Sequence, residues 1–309
     1  MRKALLLYNP LSGRRHGRRV NEVESAQAVL REGGVDAASA ATSGPGEAAG
    51  QVKQAIRDGF DTVFACGGDG TVHDVVQGLV GTDAALGVIP LGTANSLAHD
   101  LGLPLSPTGA ARAALKSKSL RIAVGRVTYQ DKDGAKNARY FTVTAGIGVD
   151  AHLFYELNSS AKRRLGMAAY YAKATQLWLT HKMEKFTIEM VGETTRSADV
   201  SQLLAVRIRH FGGVLRELAP GASLERDDLR LVLFHTRSRA AYLGYVLRGL
   251  LGARWRIPGI ELVHAEQVSC RSKNGSSRIF VEADGELLGT LPAEMSLVPD
   301  ALTILAPAG

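Results

Sequence analysis

Two hydrophobic periods alternate along the first third of the chain. Short apolar runs typical of buried strands are followed by segments in which apolar residues recur every three or four positions, as on one face of a helix. In chain order these segments are residues 3–8, 20–34, 35–42, 45–59, 61–66, 71–80, 86–90 and 93–102. Regular alternation of strand and helix patterns predicts an α/β layer around a mostly parallel sheet.

After about residue 125 the pattern changes to longer β-type runs. These runs are residues 138–149, 201–211, 228–235 and 277–289, and helical patterns interrupt them at 151–181 and 239–252. The change predicts two domains: an α/β domain over residues 1–125 and a β-rich domain over residues 126–309.

Composition is that of an ordinary soluble protein. The chain has 309 residues, 45% of them hydrophobic and 22% charged, which is enough material for two buried cores. No stretch reaches the apolar length of a membrane span, and the apolar run after Lys3 is too short for a secretory signal. We therefore expect a cytoplasmic protein. With only Cys66 and Cys270, a disulfide framework or a zinc site has little support.

A formal net charge of +7 favours an anionic partner: nucleotide phosphates, nucleic acid or an acidic membrane surface. Residues 229–260 contain six arginines and no acidic residue. Within them, residues 239–256 (RAAYLGYVLRGLLGARWR) are amphipathic, cationic and aromatic, as in a helix that rests on anionic lipid. A helix packed on the β-rich domain with an exposed basic side has a similar pattern. We find no recognition module for nucleic acid and expect no such partner.

The most informative segment is Gly67-Gly68-Asp69-Gly70-Thr71, which lies between an apolar run and a helical pattern beginning near Thr71. Glycines at such a turn let the backbone approach a ligand, and the helix start adds partial positive charge that suits phosphate. The spacing matches neither the dinucleotide fingerprint nor the P-loop. A carboxylate beside phosphates requires Mg²⁺ or a proton between them. The alternative is that Asp69 only caps the helix.

The sequence GGDGT resembles the nucleotide loop shared by diacylglycerol kinases, sphingosine kinases, NAD kinases and, more distantly, phosphofructokinases. Further segments resemble the bacterial lipid kinases of the diacylglycerol and sphingosine kinase family, in matching order over nearly the whole chain. They are YNPLSG (8–13), PLGTANSLAHDLGLP (90–104), TAGIGVDA (144–151), LAPGASLERDDLRLVLF (218–234) and EADGELL (282–288). The resemblance implies a Rossmann-like α/β domain, a β-sandwich-like second domain, and transfer of the γ-phosphate of Mg-ATP to a lipid hydroxyl at a membrane surface.

The resemblance also implies the residues that contact ATP, which are Asn9, Ser12, Thr42, Gly67, Gly68, Asp69, Gly70, Thr71, Val72, His73, Thr93 and Asn95. Some of them have plainer interpretations. Asn9-Pro10 and Ser12-Gly13 are good turn formers, and Thr42 can cap the following helix.

Two carboxylates compete for the role of general base. The family places the base in the DGE segment, which corresponds to Glu286, and we assign Asp69 to organising Mg²⁺ and bound water. A carboxylate occupied by metal is a poor proton acceptor, which favours Glu286 as the base. Asp284-Gly285 is also a strong signal for the tip of a β-hairpin, and such a turn can present the base.

Other implied sites come with departures from the family pattern. A structural Mg²⁺ corresponds to the side chain of Asp227 and the carbonyls of Leu224 and Leu229, but Asp228 stands where the family usually has glycine. An ordinary acidic turn is the alternative there. Asp150 corresponds to a partner for the lipid headgroup, or it is a helix N-cap. Many bacterial members have aspartate where this chain has Ser96.

Competing functions are an NAD kinase, which shares the GGDGT loop, and a catalytically silent regulator that binds nucleotide or lipid. Retention of both Asp69 and Glu286 argues against the silent regulator. The acceptor is open among diacylglycerol, a sphingoid base, ceramide and phosphatidylglycerol, and a homodimer is one assembly that the sequence leaves open.

Overall fold

The computed structural model describes residues 1–10, 16–44, 46–148, 183–192, 195–212, 217–253, 255–273 and 279–307. The predicted site residues Ser12 and Asp150 lie outside these ranges. The chain divides into two compact units. The first contains Met1–Val124, His210–Val214 and Val298–Gly309, and the second contains Gly125–Arg209 and Leu215–Leu297.

The first unit is built on a parallel sheet in the order β4-β3-β1-β2. Its strands are β1 (Lys3–Tyr8), β2 (Asp36–Ala41), β3 (Thr62–Gly67) and β4 (Ala85–Pro90). β3 and β4 are buried along their whole length, as continuous apolar runs in a parallel sheet should be. Beyond β4, the end of the last strand of the chain adds in parallel through Thr303 and Ile304.

Five helices accompany this sheet: α1 (His16–Glu32), α2 (Ala48–Arg57), α3 (Asp69–Leu79), α4 (Ser96–Asp100) and α5 (Pro107–Leu115). One core cluster joins Val23, Ala26 and Leu30 of α1 to three alanines of α5, at 110, 111 and 114. α2 packs on α3 so closely that a Cβ at Gly78 would lie 2.7 Å from the Val52 side chain. α5 begins cleanly because the Ser106 hydroxyl accepts from the Gly109 N–H, with Pro107 in the first turn.

The second unit is a set of antiparallel strands with one helix among its described residues. The elements are β5 (Lys118–Gln130), β6 (Lys136–Phe141), β7 (Thr144–Gly148), β8 (Phe186–Val191), β9 (Arg196–Val200), β10 (Gln202–Val206), β11 (Leu229–Phe234), α6 (Arg239–Leu251), β12 (Ile260–Ala265), β13 (Gln267–Ser272), β14 (Phe280–Ala283) and β15 (Glu286–Ala306). One path of pairing is β12-β11-β10-β7-β14-β15, and β13 joins β15 to β8 and β9. The first part of β5 and the last part of β15 belong to the first unit.

The core of the second unit is apolar and mainly aliphatic. Phe141 and Phe186 are fully buried among aliphatic side chains from β7, β10, β11 and β13. β8 alternates buried and exposed positions, as a strand with one solvated face does. The predicted fold class, an α/β domain followed by a β-sandwich-like domain, is confirmed. One difference concerns the chain end, because the predicted β-rich domain runs to residue 309 whereas the strand after Val298 pairs with β4.

Candidate functional site

Four neighbouring parallel strands of the first unit end at the same edge of the sheet. Tyr8 of β1 aligns with Ala41 of β2 and Cys66 of β3, and Gly67 of β3 aligns with Pro90 of β4. The segments that follow these strands contain the predicted nucleotide residues Asn9, Thr42, Gly67 to His73, Thr93 and Asn95. The strand order reverses between β1 and β3. Open α/β sheets bind ligands at the carboxyl ends of their strands, beside such a reversal.

The turn between β3 and α3 is short and depends on its glycines. Gly68 is the N-cap of α3 in an extended conformation, and the N–H groups of Thr71 and Val72 both bond to its carbonyl. A Cβ at Gly67 would collide with the Thr71 side chain. The helix begins at Asp69, two residues earlier than the apolar periodicity predicts, because the glycine-rich first turn carries no apolar signal.

The Asp69 carboxylate joins two loops. Its Oδ1 accepts a 2.6 Å hydrogen bond from the backbone N–H of Ser96, 27 residues away. The N-cap position of α3 is Gly68, so Asp69 is the first residue of the helix and not its N-cap. The donor is the backbone N–H of Ser96, so this bond forms although the chain has serine and not aspartate at position 96.

The segment after β4 lies against the turn after β3. The Leu91 N–H bonds to the Gly67 carbonyl at 2.8 Å, and a Cβ at Gly68 would lie 3.1 Å from the Cα of Gly92. Asn95 holds this segment closed, because its amide bonds both to the N–H and to the carbonyl of Gly92. Asn95 has φ 51° and ψ 48°, a left-handed conformation that asparagine tolerates better than most residues. Asn95 therefore shapes the loop that carries Thr93.

Arg19, a buried residue beneath these loops, is not among the site residues predicted from the sequence. The Arg19 guanidinium is 3% exposed and donates from Nη2 to the Leu91 carbonyl at 2.8 Å. Burial lowers its pKa below the usual arginine value. Arg19 precedes Val23, Ala26 and Leu30 at helical spacing, on the stripe of α1 that enters the core. The sequence signal that could have identified Arg19 is an arginine at a position of the apolar stripe of α1.

The remaining predicted nucleotide residues are placed as follows. Asn9 directly follows β1, and the Thr42 N–H extends the sheet by bonding to the Tyr8 carbonyl at 2.8 Å. Thr42 does not cap α2, whose N-cap is Glu47. Thr93 is exposed, whereas Thr71, Val72 and His73 are buried in α3. His73 is thus a residue of the helix core as well as a predicted site residue.

In the second unit, Glu286 follows a two-residue turn between β14 and β15. Asp284 and Gly285 have φ values of 49° and 84°, the left-handed pair typical of a tight hairpin turn, and Ala283 pairs with Glu286. The Glu286 side chain is exposed. The hairpin interpretation is therefore observed, and Glu286 is the first residue of the outgoing strand.

Asp284 is a second residue whose role is not predicted from the sequence, where it is identified only as part of a hairpin turn. Its carboxylate is 8% exposed and accepts from the backbone N–H groups of Thr142, Val143 and Thr144 at 2.9–3.0 Å. On the same turn, Glu282 accepts from the Gly285 N–H at 3.0 Å. These bonds fix the turn from both sides, and so they fix the backbone position from which Glu286 projects.

One of the three predicted structural metal ligands, the Leu224 carbonyl, is already engaged by the side chain of Arg207. The Leu224 carbonyl accepts from Nη2 of Arg207 at 3.1 Å, and Nη1 of Arg207 donates to the carbonyls of Arg226 and Asp228, each at 2.9 Å. Arg207 is 1% exposed, and burial lowers its pKa to about 10, so it remains charged at neutral pH. A guanidinium cation is therefore bonded to three carbonyls of this loop, and one of them, Leu224, belongs to a predicted metal ligand.

Asp228, the departure from glycine, has a clear role in this arrangement. Its carboxylate bonds to the Arg226 guanidinium at 2.5 and 2.6 Å and lies 3.1 Å from Nδ1 of His264. The Arg226 bond is the main cause that lowers the pKa of Asp228. The predicted ligand Asp227 is exposed. Within the described residues, no group of three or more His, Cys, Asp or Glu side chains is arranged to hold a metal.

Two family profiles match the chain. The diacylglycerol kinase catalytic domain matches residues 3–127, and the YegS C-terminal NAD kinase beta sandwich-like domain matches residues 142–306. With a glycine-rich turn at the strand ends of the first unit, these matches define the class as a two-domain kinase, a phosphotransferase.

Curated relatives and solved structures agree with that class. A diacylglycerol kinase from Bacillus subtilis (strain 168) is 30% identical over 299 residues, 95% of this chain and 93% of the relative. One from Mycobacterium tuberculosis (strain ATCC 25618 / H37Rv) is 31% identical over 306 residues, 99% of this chain and 95% of the relative. A crystal structure of a putative diacylglycerol kinase from Bacillus anthracis has a similar fold, with a TM-score of 0.76 at 20% identity over 98% of this chain and 95% of that one. The chain belongs to the diacylglycerol kinase family.

Proposed function

We propose that this enzyme transfers the γ-phosphate of Mg-ATP to a hydroxyl group of a diacylglycerol-like or sphingoid-like lipid. The observation that carries the proposal is the position of Asp69. It is the first residue of α3, at the carboxyl ends of the parallel strands, and its carboxylate accepts a hydrogen bond from the Ser96 N–H. The names of the relatives, diacylglycerol kinases, support a lipid acceptor.

ATP is proposed to bind at the edge formed by Asn9, Thr42, the turn at Gly67–Gly68 and Thr93. Phosphates suit the N-terminus of α3, where the helix contributes partial positive charge. Neither Gly68 nor Gly92 has a side chain where the two segments meet, so the backbone itself can contact the triphosphate. Buried Arg19 adds a positive charge beneath the same loops.

Asp69 fits a role toward Mg²⁺, since magnesium in kinases is held by one or two carboxylates together with phosphate oxygens and water. When bound, the ion would neutralise charge on the transferring phosphoryl group. Asp69 is kept in place by Ser96 and begins a helix whose buried face includes Val72, Val75 and Val76. The bond to Ser96 and the packing of α3 hold the Asp69 carboxylate in place, so the side chain can orient a ligand without first changing its conformation.

Glu286 is proposed as the general base that accepts the proton of the lipid hydroxyl as the new phosphate ester bond forms. It is an exposed carboxylate on a turn fixed by Asp284 and Glu282. General base catalysis contributes about 10²- to 10⁴-fold to a rate. The lipid itself lies in a bilayer, so we propose that the enzyme works peripherally at a membrane surface. No helix among the described residues is long and apolar enough to cross a bilayer.

The test is a transfer assay with labelled ATP across diacylglycerol, sphingosine, ceramide, phosphatidylglycerol and NAD, with mass analysis of the product. We expect a phosphorylated lipid. Glu286→Gln should lower kcat by at least about a hundredfold with nearly unchanged ATP affinity, because only proton transfer is lost. Asp69→Asn should weaken Mg-ATP binding as well as kcat.

Matched controls are Glu189→Gln and Asp83→Asn, the same changes at exposed positions of β8 and of the loop before β4. Both should keep wild-type rates. Substantial turnover in Glu286→Gln would overturn the assignment of the base. A phosphorylated dinucleotide instead of a lipid would favour the NAD kinase alternative, and ATP binding without any transfer would favour the silent regulator.

A further inference from the structure

Helix α6 presents its apolar residues outward and its polar residues inward. Leu243, Val246, Leu247 and Leu251 are 44–65% exposed, and Trp255 just beyond the helix is 47% exposed. We call these five residues the α6 ridge. They are half of the ten large hydrophobic side chains that are exposed in the described part of the chain. Such a contiguous exposed patch usually marks an interaction site.

The buried face of α6 carries hydroxyl and guanidinium groups. The Tyr242 hydroxyl bonds to the Ser201 hydroxyl at 2.9 Å, and the Tyr245 hydroxyl donates to the Leu218 carbonyl. Arg248 is 6% exposed, donates to the same carbonyl at 3.2 Å and lies 4.6 Å from the centre of the Tyr245 ring. A helix facing water would place polar groups outside. Helix α6 departs from this arrangement, because Tyr242, Tyr245 and Arg248 are its buried residues with polar groups.

A basic cavity lies beside the α6 ridge. Its volume is about 930 Å³, and its charged lining residues are Arg209, Arg230, Arg248, Arg256, Glu217 and Glu261. We call this cavity the arginine pocket. Glu261 is already held by Arg196 in a two-point ion pair at 2.7 and 2.9 Å and by His235 at 3.0 Å. Four arginines against one other carboxylate leave the pocket net positive.

The arginine pocket adjoins α6, because Arg248 of the helix and the exposed Trp255 that follows it both line the pocket. A phosphate-bearing headgroup suits the arginines, since guanidinium groups bind phosphate through paired hydrogen bonds. Acyl chains beside that headgroup suit the leucines. An anionic phospholipid bilayer is the partner that presents phosphates and hydrocarbon chains side by side over a wide area.

We propose that the α6 ridge and the arginine pocket form a membrane-docking surface selective for anionic phospholipids. The ridge inserts at the boundary between headgroups and acyl chains, and the pocket holds a phospholipid phosphate. Helices that lie in this boundary combine apolar insertion with attraction of basic residues to anionic lipid. The inference deepens the proposed function and rests on it in one respect: docking brings the kinase to the bilayer that contains its acceptor.

The test is co-sedimentation of the full chain with vesicles of phosphatidylcholine alone and of phosphatidylcholine mixed with one third phosphatidylglycerol. We expect binding to the mixed vesicles, at least about tenfold stronger than to phosphatidylcholine. Leu247→Glu and Leu251→Glu should each lower that binding by at least about tenfold, because a carboxylate would enter the apolar boundary. Leu105→Glu, the same change at a 49% exposed leucine of the first unit, should leave binding unchanged.

The contribution of the pocket is tested separately. Arg256→Ala should lower binding to the mixed vesicles severalfold and leave the weak binding to phosphatidylcholine unchanged, whereas Arg112→Ala, an exposed arginine of α5, should change neither. Circular dichroism on each variant verifies folding. Equal binding by Leu251→Glu and wild type, or equal binding to both vesicle types, overturns the proposal.

Two further measurements separate this inference from its alternatives. A wild-type dimer that dissociates in Leu251→Glu during sedimentation without vesicles would mean that the ridge covers a second copy of this chain, and would overturn the proposal. Turnover on a monomerically dispersed short-chain acceptor should be the same in Leu251→Glu and wild type. If the wild type binds anionic vesicles but phosphorylates no lipid, the proposed function fails and the docking surface stands.

Discussion

Arg207 shows how one residue can change the chemistry of a loop. Its guanidinium bonds to the carbonyls of Leu224, Arg226 and Asp228, which converge on it from one short segment. In the family that this chain resembles, a metal ion is expected at the same segment. A buried arginine supplies positive charge permanently, without dependence on the metal concentration, so we infer that the loop of this enzyme is ordered by its own side chain.

Replacing Arg207 by methionine should therefore lower the free energy of unfolding on the order of 3 kcal/mol, because three carbonyls in a partly buried loop lose a charged donor. Millimolar Mg²⁺ should raise the unfolding temperature of Arg207→Met but leave that of the wild type unchanged. Arg271→Met, at an exposed position of β13, is the matched control and should be neutral. Thermal unfolding with and without EDTA measures both effects. A wild type that loses stability on chelation would show that a metal binds beside Arg207 after all.

At the scale of elements, the site depends on two strand-to-helix connections that touch. Gly68 after β3 and Gly92 after β4 approach without side chains, and the bond from Ser96 to Asp69 joins the same two segments. Nucleotide affinity should therefore be sensitive to the spacing between these segments, even where no ligand atom is touched.

Gly92→Ala should raise the KM for ATP by about tenfold or more, because a Cβ at this position collides with the Gly68 backbone and forces the segments apart. Gly50→Ala makes the same chemical change in α2, where a new Cβ meets nothing within 4 Å, and should leave KM unchanged. Steady-state kinetics at saturating lipid measure the difference. An unaltered KM in Gly92→Ala would mean that the ATP site lies elsewhere.

The sequence predicts the elements of this site better than it predicts their contacts. The glycine-rich turn, the hairpin at Asp284-Gly285 and the alternation of strands and helices are local patterns, and each is observed. The bond from Ser96 to Asp69 and the insertion of Arg207 among loop carbonyls join residues distant in the chain. In both cases a side chain bonds to backbone atoms. Every residue has these atoms, so the residue type at the partner position does not predict the bond.

At the scale of the whole molecule, the last strand leaves the second unit and completes the sheet of the first. Leu302, Ile304 and Leu305 of β15 are at most 7% exposed, and Thr303 and Ile304 align with Ala85 and Leu86 of β4. The sequence analysis predicts neither this strand nor its partner, and a parallel neighbour some two hundred residues away leaves no local signal. The stability of the first unit therefore depends on residues that are far away in the sequence from its other strands.

Leu302→Ala should lower the free energy of unfolding by about 2–5 kcal/mol, because a fully buried side chain leaves a cavity. The loss of stability should affect mainly the first unit. Hydrogen exchange followed by mass spectrometry should show faster exchange in β3 and β4 with little change in β10 and β11. Leu105→Ala, at an exposed leucine, serves as the control. Uniform acceleration across both units would contradict a local role for this strand.

The position of that strand has a consequence for synthesis. A nascent chain reaches residues 301–305 only after the entire second unit has been translated, so until then β4 presents an open sheet edge. The first unit, although most of it is translated first, acquires its full set of strands last. A ribosome that stops early would thus release a polypeptide whose catalytic loops rest on an unfinished sheet, prone to pairing with other chains and exposed to proteases.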